Sequence, residues 1–182
     1  MAEMFTSPRH PFYQSTDIMS LGPIDENRYH DFAKRFFDEA GRPFSSEAFH
    51  FLYRRFDGVT WYVQSVLNRI WGDGLALESE DVVSKAVAAL VEDRALTFHD
   101  LVESKTATGK SLLEAIAREG VVREITSSAF LKRNSLAAPS SVRTALAGLL
   151  ARDLVYRSEN GYIVYDRLLG EYLKGSNEGF RP

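Results

Sequence analysis

Along most of the chain, apolar residues return every three or four positions, the period of a helix with one buried face. Asp25 to Ala40 carries Tyr29, Phe32, Ala33, Phe36 and Phe37 in one stripe. Asp25, Glu26 and Asp31 favour its positive N-terminal end, and Gly41 ends it. Ser45 or Ser46 caps a second helix running to about Arg55, with Ala48, Phe49, Leu52, Tyr53 and Phe56 facing a core. Asp57-Gly58 breaks it. A third helix runs from about Thr60 to Trp71, with Trp61, Tyr62, Val66, Leu67, Ile70 and Trp71 as its apolar positions, and Gly72-Asp73-Gly74 is a turn. The pattern then predicts one long helical stretch from Glu78 to about Glu103, built on Val82, Val83, Ala86, Val87, Leu90, Val91, Phe98, Leu101 and Val102.

The next sixty residues read helix, helix, helix, hairpin. Lys110 to Glu119 places Leu112, Leu113, Ile116 and Ala117 on one side, and Gly120 can end it. Thr126-Ser127-Ser128 opens a short helix, Ala129 to Asn134. Pro139 starts the third helix, where a missing N–H costs little, with Ser140 or Ser141 as its cap. Val142, Ala145, Leu146, Leu149 and Leu150 form its apolar stripe, while Arg143, Thr144, Ala147, Gly148, Ala151 and Arg152 fall outside it. After Asp153 the period changes to that of a strand. Leu154 to Arg157 and Tyr162 to Tyr165 flank Ser158-Glu159-Asn160-Gly161, and Asn160-Gly161 is a hairpin signal because both residues can take positive φ. Three helices followed by a hairpin is the plan of a winged helix-turn-helix. Asp166 can cap a last helix, Arg167 to Lys174, whose Leu168, Leu169, Tyr172 and Leu173 should pack back on the rest.

Residues 1–24 differ. Pro8, Pro11 and Pro23 predict an extended path. Phe5, Phe12, Tyr13, Ile18 and Leu21 are too many apolar groups for a free tail. They should pack either on the helices that follow or on a domain outside this sequence. The expected organisation is an extended segment (1–24), an acidic helical domain (25–105), a winged-helix domain (106–175) and a frayed tail (176–182).

Composition sharpens this in two respects. The 182 residues are 45% hydrophobic with a net charge of −3, which supports a real core and excludes a generally basic nucleic-acid binder. The charge is uneven: residues 1–105 carry 11 basic and 17 acidic side chains, residues 106–166 carry 8 and 6. The chain has no cysteine, which excludes disulfides, thiol nucleophiles and cysteine metal sites. No apolar run approaches the roughly 18 residues of a membrane span, and no signal-peptide core is present, so a soluble cytoplasmic protein without membrane contact is expected.

Candidate chemistry is sparse. Thr108-Gly109-Lys110-Ser111 looks like the end of a phosphate-binding loop, but such a loop needs glycine at position 104, where Ser104 stands, and a preceding hydrophobic strand. A helix start capped by Thr108 or Gly109 is the better reading. His10, His30, His50 and His99 are dispersed without metal-ligand spacing. Glu78, Glu80 and Asp81 read as helix-dipole partners, and Ser127, Ser128, Ser140 and Ser141 as caps. No self-contained active site, metal or cofactor is expected in this chain. The basic candidates for double-stranded DNA are Lys132, Arg133, Arg143, Arg152 and Arg157, with Ser141 and Thr144 as polar groups. Arg143 lies near the start of the third helix, where residues reach base edges in helix-turn-helix geometry. The same charges also suit the ordinary surface of a winged helix used for packing or protein contacts.

Four segments, in order, resemble the C-terminal half of bacterial and archaeal AAA+/STAND-like ATPases of the "archaeal ATPase" type. They are Phe5-Thr6-Ser7-Pro8-Arg9-His10-Pro11-Phe12-Tyr13; Leu21 to Ile24 followed by Tyr29 and Phe32; Phe56-Asp57-Gly58-Val59-Thr60-Trp61-Tyr62-Val63-Gln64; and Tyr162, Val164, Asp166 with Tyr172-Leu173. In that family a P-loop core precedes a helical lid and a winged helix. The resemblance implies a mainly α fold, a four-helix lid-like bundle followed by the winged helix-turn-helix with its one hairpin. It implies that Arg9 acts as an arginine-finger-like or phosphate-sensing residue, and that Gly58, Thr60 and Tyr62 line the adenine side. Thr60 departs from the proline usual there. No Walker A or Walker B segment is present, so ATP and Mg would belong to a P-loop core outside these residues, and a truncated family member or a fragment of a longer ATPase is expected. The implied role is a non-catalytic regulatory module of such an ATPase, binding DNA or a partner. The alternatives are a stand-alone winged-helix transcription regulator that dimerises through its N-terminal helices, and a protein-interaction module.

Overall fold

The computed structural model describes residues 22–175; the expectations for Arg9, for the rest of 1–21 and for 176–182 lie outside them. Among the described residues the order is α1 (Glu26–Glu39), α2 (Ser46–Arg55), α3 (Thr60–Gly72), α4 (Glu80–Glu92), α5 (Ala95–Glu103), α6 (Ala107–Glu119), α7 (Ser128–Arg133), α8 (Pro139–Leu150), β1 (Val155–Ser158), β2 (Gly161–Val164) and α9 (Arg167–Gly175). The fold is mainly α with one antiparallel hairpin, as the periodicity predicts.

Local chemistry sets most helix starts. Side-chain oxygens of Asp25, Ser45, Ser79, Thr106 and Ser127 each accept a backbone N–H of the first turn, at 3.0 to 3.4 Å. These bonds satisfy donors that the helix itself leaves free. Thr106, not Thr108 or Gly109, is thus the cap of α6. Neither Ser140 nor Ser141 caps α8: Ala138 holds that position without a side-chain bond and Pro139 begins the helix, which needs one fewer donor satisfied.

The long helix expected from Glu78 to Glu103 is two helices. Asp93 and Arg94 separate α4 from α5, with Arg94 leaving helical geometry at φ −114 and ψ 2. Two side-chain contacts hold the break. Asp93 accepts from the Arg69 guanidinium of α3 at 2.7 Å, and the Arg94 guanidinium lies 4.9 Å from the centre of the Trp61 ring. Sequence periodicity did not register this because both halves keep buried residues at helical spacing, Val83, Ala86 and Val87 before the break and Phe98 and Val102 after it.

One buried apolar cluster extends from Tyr29 on α1 to Leu173 on α9 and passes through α6, where Leu112, Leu113 and Ile116 are fully buried. α9 is central to it. The chain leaves the hairpin, and α9 packs on α6 and also on α4 and α5. Leu168, Leu169 and Leu173 are buried there, each worth roughly 1.5–3 kcal/mol of transfer free energy. Polar contacts fix its entry and flank. Asp166 caps it through Leu168 N–H at 2.9 Å. The Tyr62 hydroxyl accepts Arg167 N–H at 3.0 Å, the Arg167 guanidinium donates to Asp57 at 2.6 Å, and Arg55 pairs with Glu171.

Several aromatics expected in the core are outside it. Phe32, Phe36, Trp61 and Trp71 are exposed, although Tyr29, Phe37 and Phe49 beside them are buried. Helical spacing places a residue on a face; whether a neighbour covers that face is a tertiary matter.

Candidate nucleic-acid interface

The winged-helix part is arranged by α6. Its C-terminal Glu119 gathers the elements that follow. Arg133 of α7 donates to both Glu119 carboxylate oxygens at 2.9 and 2.7 Å, and the Asn134 amide adds a third bond at 2.6 Å. The hydrogen bond from Arg133 is the main reason the Glu119 carboxyl is held below the usual carboxylate range, and it outweighs the opposing effect of burial. Arg118 donates to the Asn134 side-chain oxygen at 3.1 Å, so the α7–α8 turn is tied down at its start. Ser135 turns the chain with φ +50, and Pro139 opens α8.

α8 lies on α6 and β1 and buries Val142, Leu146 and Leu149. Its opposite face holds Ser140, Ser141, Arg143, Thr144, Ala147 and Gly148, all exposed. Such a face carries one long charged side chain among small ones. Backbone of a partner can approach it closely, and Arg143 makes no hydrogen bond or ion pair among the described residues. The Thr144 hydroxyl donates back to the Ser140 carbonyl at 3.2 Å.

The hairpin pairs Val155 with Val164, Tyr156 with Ile163, Arg157 with Tyr162 and Ser158 with Gly161. Glu159 and Asn160 therefore form its turn, and positive φ falls on Gly161 (+139) and not on Asn160. The turn residues are one position earlier than the Asn160-Gly161 pattern suggested. The reason is tertiary. Val122, in the α6–α7 connection, makes an isolated antiparallel bridge to Tyr162, with N–H to carbonyl bonds of 3.0 and 2.9 Å, one in each direction. A β-carbon on Gly161 would stand 2.5 Å from the Val122 carbonyl oxygen.

The sequence-derived cations are in different states. Lys132 is exposed on the last turn of α7, Arg152 just beyond α8 and Arg157 on β1, its guanidinium 5.9 Å from the Tyr162 ring centre. Arg133 is exposed but committed to Glu119. Two further cations escaped the sequence reading. Burial, and secondarily the charge of Arg152, lowers the Lys105 ammonium from its usual value. Arg123 follows Val122 against the wing. Both lie in connections, where no periodic signal marks them.

Gly58, Thr60 and Tyr62, which the resemblance implied on the adenine side, lie in the helical part. Gly58 (φ +67) is buried under the Tyr53 ring, which leaves no room for a β-carbon. Thr60 is half-buried at the start of α3 and lines a groove between α1 and α3. Tyr62 stacks on Phe56 at 5.3 Å and uses its hydroxyl on Arg167 N–H and Asp166. Thr108 to Ser111 is a helical turn in α6. The Gly109 N–H bonds Thr106, and Lys110 pairs with Glu103, a bond that raises the ammonium and lowers the carboxyl. His30 and His50, remote in sequence, stack at 5.5 Å, bonded to Asp31, Ser46 and Glu26. No group of three or more His, Asp or Glu is placed to hold a metal among the described residues. No helix there is long and apolar enough to cross a membrane.

A family model described as a probable winged helix domain matches residues 96–175. No curated protein matches the chain. A solved structure, the Walker-type ATPase of Pyrococcus abyssi, is similar with a TM-score of 0.61 at 16% sequence identity, covering 93% of this chain and 47% of its own. The chain thus spans about half the length of that ATPase. At this identity the likeness is one of fold, and it extends over both the helical part and the winged helix.

Proposed function

We propose that this chain is the non-catalytic helical and winged-helix module of a P-loop ATPase, and that α8 and the wing are its surface for double-stranded DNA. The observation that carries the DNA reading is the outer face of α8. Arg143 forms no hydrogen bond or ion pair among the described residues and stands among Ser140, Ser141, Ala147 and Gly148, and Lys132, Arg152 and Arg157 are exposed elsewhere on the winged-helix part. Phosphates need free cations, and base edges need a helix face low enough to enter the major groove. The ATPase reading is supported by the fold likeness over nearly the whole chain and by the matching order of sequence segments. ATP and Mg belong to the P-loop core in this reading; the module couples the state of that core to DNA or a partner and turns over no ATP by itself.

The test is fluorescence anisotropy of a labelled mixed-sequence duplex at about 50 and 200 mM salt. Four phosphate contacts predict an affinity loss of about 100-fold between the two, from a slope of roughly 0.9 per contact. Arg143→Glu should weaken binding at least tenfold more. Absence of binding at low salt refutes the DNA reading. A second reading, protein contact through the same face, draws on the Arg133–Glu119 pair, which removes one cation from the surface. It predicts that Arg143→Glu leaves any residual DNA affinity unchanged.

A further inference from the structure

Between α1 and α3 lies an open apolar groove of about 580 Å³. Tyr29, Phe37 and Leu67 form its buried floor; Phe32 (54% exposed), Phe36 (43%) and Trp71 (38%) stand along its walls. A contiguous exposed aromatic surface of this kind marks a contact site. The charge around it opposes that of its surroundings. Residues 1–105 carry 17 acidic and 11 basic side chains, yet among the described residues no carboxylate lines the groove, while Arg28 does. Two further arginines border the aromatic walls. The Arg35 guanidinium lies 5.8 and 5.2 Å from the centres of the Phe32 and Phe36 rings, and that of Arg42 lies 4.4 Å from the Trp71 ring centre. The Arg28 side chain forms no hydrogen bond or ion pair among the described residues, and Arg35 has a long, exposed contact of 3.8 Å with Glu39. An apolar groove with a cationic rim complements a segment that is apolar on one side and acidic on the other.

The polar wall of the groove selects the backbone form of that segment. Thr60, Gln64 and Asn68 line it, spaced four apart on α3. Gln64 and Asn68 present exposed amides that form no hydrogen bond among the described residues. Four helical residues advance about 6.0 Å, and two extended residues about 6.6 Å. Side-chain amides at this pitch can meet every second peptide unit of an extended chain. Such a chain needs outside donors and acceptors, which a helix supplies for itself. Its side chains alternate between two faces, so one set can enter the aromatic floor while the other faces Arg28 and Arg35. α1 and α3, of 14 and 13 residues, are about 20 Å long, room for about six extended residues.

We propose that the α1–α3 groove docks an extended acidic segment of a partner protein, in which aromatic or large aliphatic side chains alternate with aspartate or glutamate. Phe32, Phe36 and Trp71 hold the apolar side chains, Gln64 and Asn68 bond the backbone, and Arg28 and Arg35 meet the carboxylates. α1 and α3 carry none of the residues invoked for DNA, so this goes beyond that reading and survives its failure.

The experiment uses the full chain and a fluorescein-labelled heptapeptide in which glutamate alternates with phenylalanine. A second peptide has lysine in place of each glutamate. The acidic peptide should bind in the micromolar range by anisotropy, and the lysine peptide at least tenfold more weakly. Arg28→Glu should weaken the acidic peptide at least fivefold, and so should Gln64→Ala combined with Asn68→Ala. All three positions are exposed and their side chains form no hydrogen bond among the described residues, so the fold tolerates these changes. The chain has two tryptophans, so in Trp61→Phe only Trp71 reports. Saturating unlabelled acidic peptide should then at least halve the acrylamide quenching of Trp71. Equal affinity for the two peptides overturns the proposal, as does unchanged Trp71 quenching or full affinity in the double alanine variant. Failure of both peptides to bind also overturns it. A mass that rises with concentration in sedimentation then assigns the groove to a second copy, and a constant monomer mass assigns it to a segment of the chain itself.

Discussion

Gly161 is where the wing is fastened to the helices, and its substitution by alanine has a calculable cost. The residue sits at φ +139, a region that side-chain-bearing residues rarely adopt, and an added β-carbon would meet the Val122 carbonyl oxygen at 2.5 Å, its carbon at 2.7 Å and Arg123 N at 3.0 Å. All three are backbone, so no rotamer change relieves the clash. The wing must move off Val122 or Gly161 must change conformation. The first response sacrifices the two Val122–Tyr162 hydrogen bonds, at about 1 kcal/mol each. The second stores strain of about 1–3 kcal/mol. The cheaper response sets the loss, so Gly161→Ala should cost about 1–2 kcal/mol. With a urea slope near 2 kcal/mol per M, the midpoint followed by circular dichroism should fall by roughly 0.5–1 M. Gly148→Ala is the control: it lies within α8, nothing is within 4 Å of its new β-carbon, and it should gain about 0.5–1 kcal/mol. If Gly161→Ala costs less than about 1 kcal/mol, the bridge to Val122 does not position the wing and the reasoning fails.

Other outcomes follow from the contacts of α9. Tyr62→Phe removes the acceptor of Arg167 N–H and a donor to Asp166, and should destabilise by about 1–2 kcal/mol in urea titration, with the Asp57–Arg167 pair loosened. Burial pushes the Glu171 carboxyl up, but its bonds to Arg55 and Lys174 outweigh this and hold it below the usual carboxylate range. Its contribution is therefore present above the ordinary carboxylate pKa and is lost as pH falls through the depressed value. Glu171→Gln should thus cost stability at pH 7 and cost progressively less towards pH 3, a convergence measurable by urea midpoints along the pH series. Phe130→Ala empties a fully enclosed site beneath α7 and should cost about 3–5 kcal/mol in the same assay.

The sequence by itself determined element type and order. Caps such as Asp25, Ser45 and Asp166, the proline opening α8 and the change from a period of about 3.6 to one of two after Asp153 act within a few residues, so they are readable without a fold. The exposed face of α8, with Ser141, Arg143 and Thr144, was legible for the same reason. What only the tertiary structure decided involves partners far apart in sequence. The α4–α5 break depends on Arg69 and Trp61, the hairpin turn shifts because Val122 pairs with Tyr162, and Arg133 is drawn from the surface by Glu119. Phe32, Phe36 and Trp71 had the same periodic credentials as Tyr29 and Phe37; their exposure depends on which helix face a neighbour reaches, and local pattern carries no information about that.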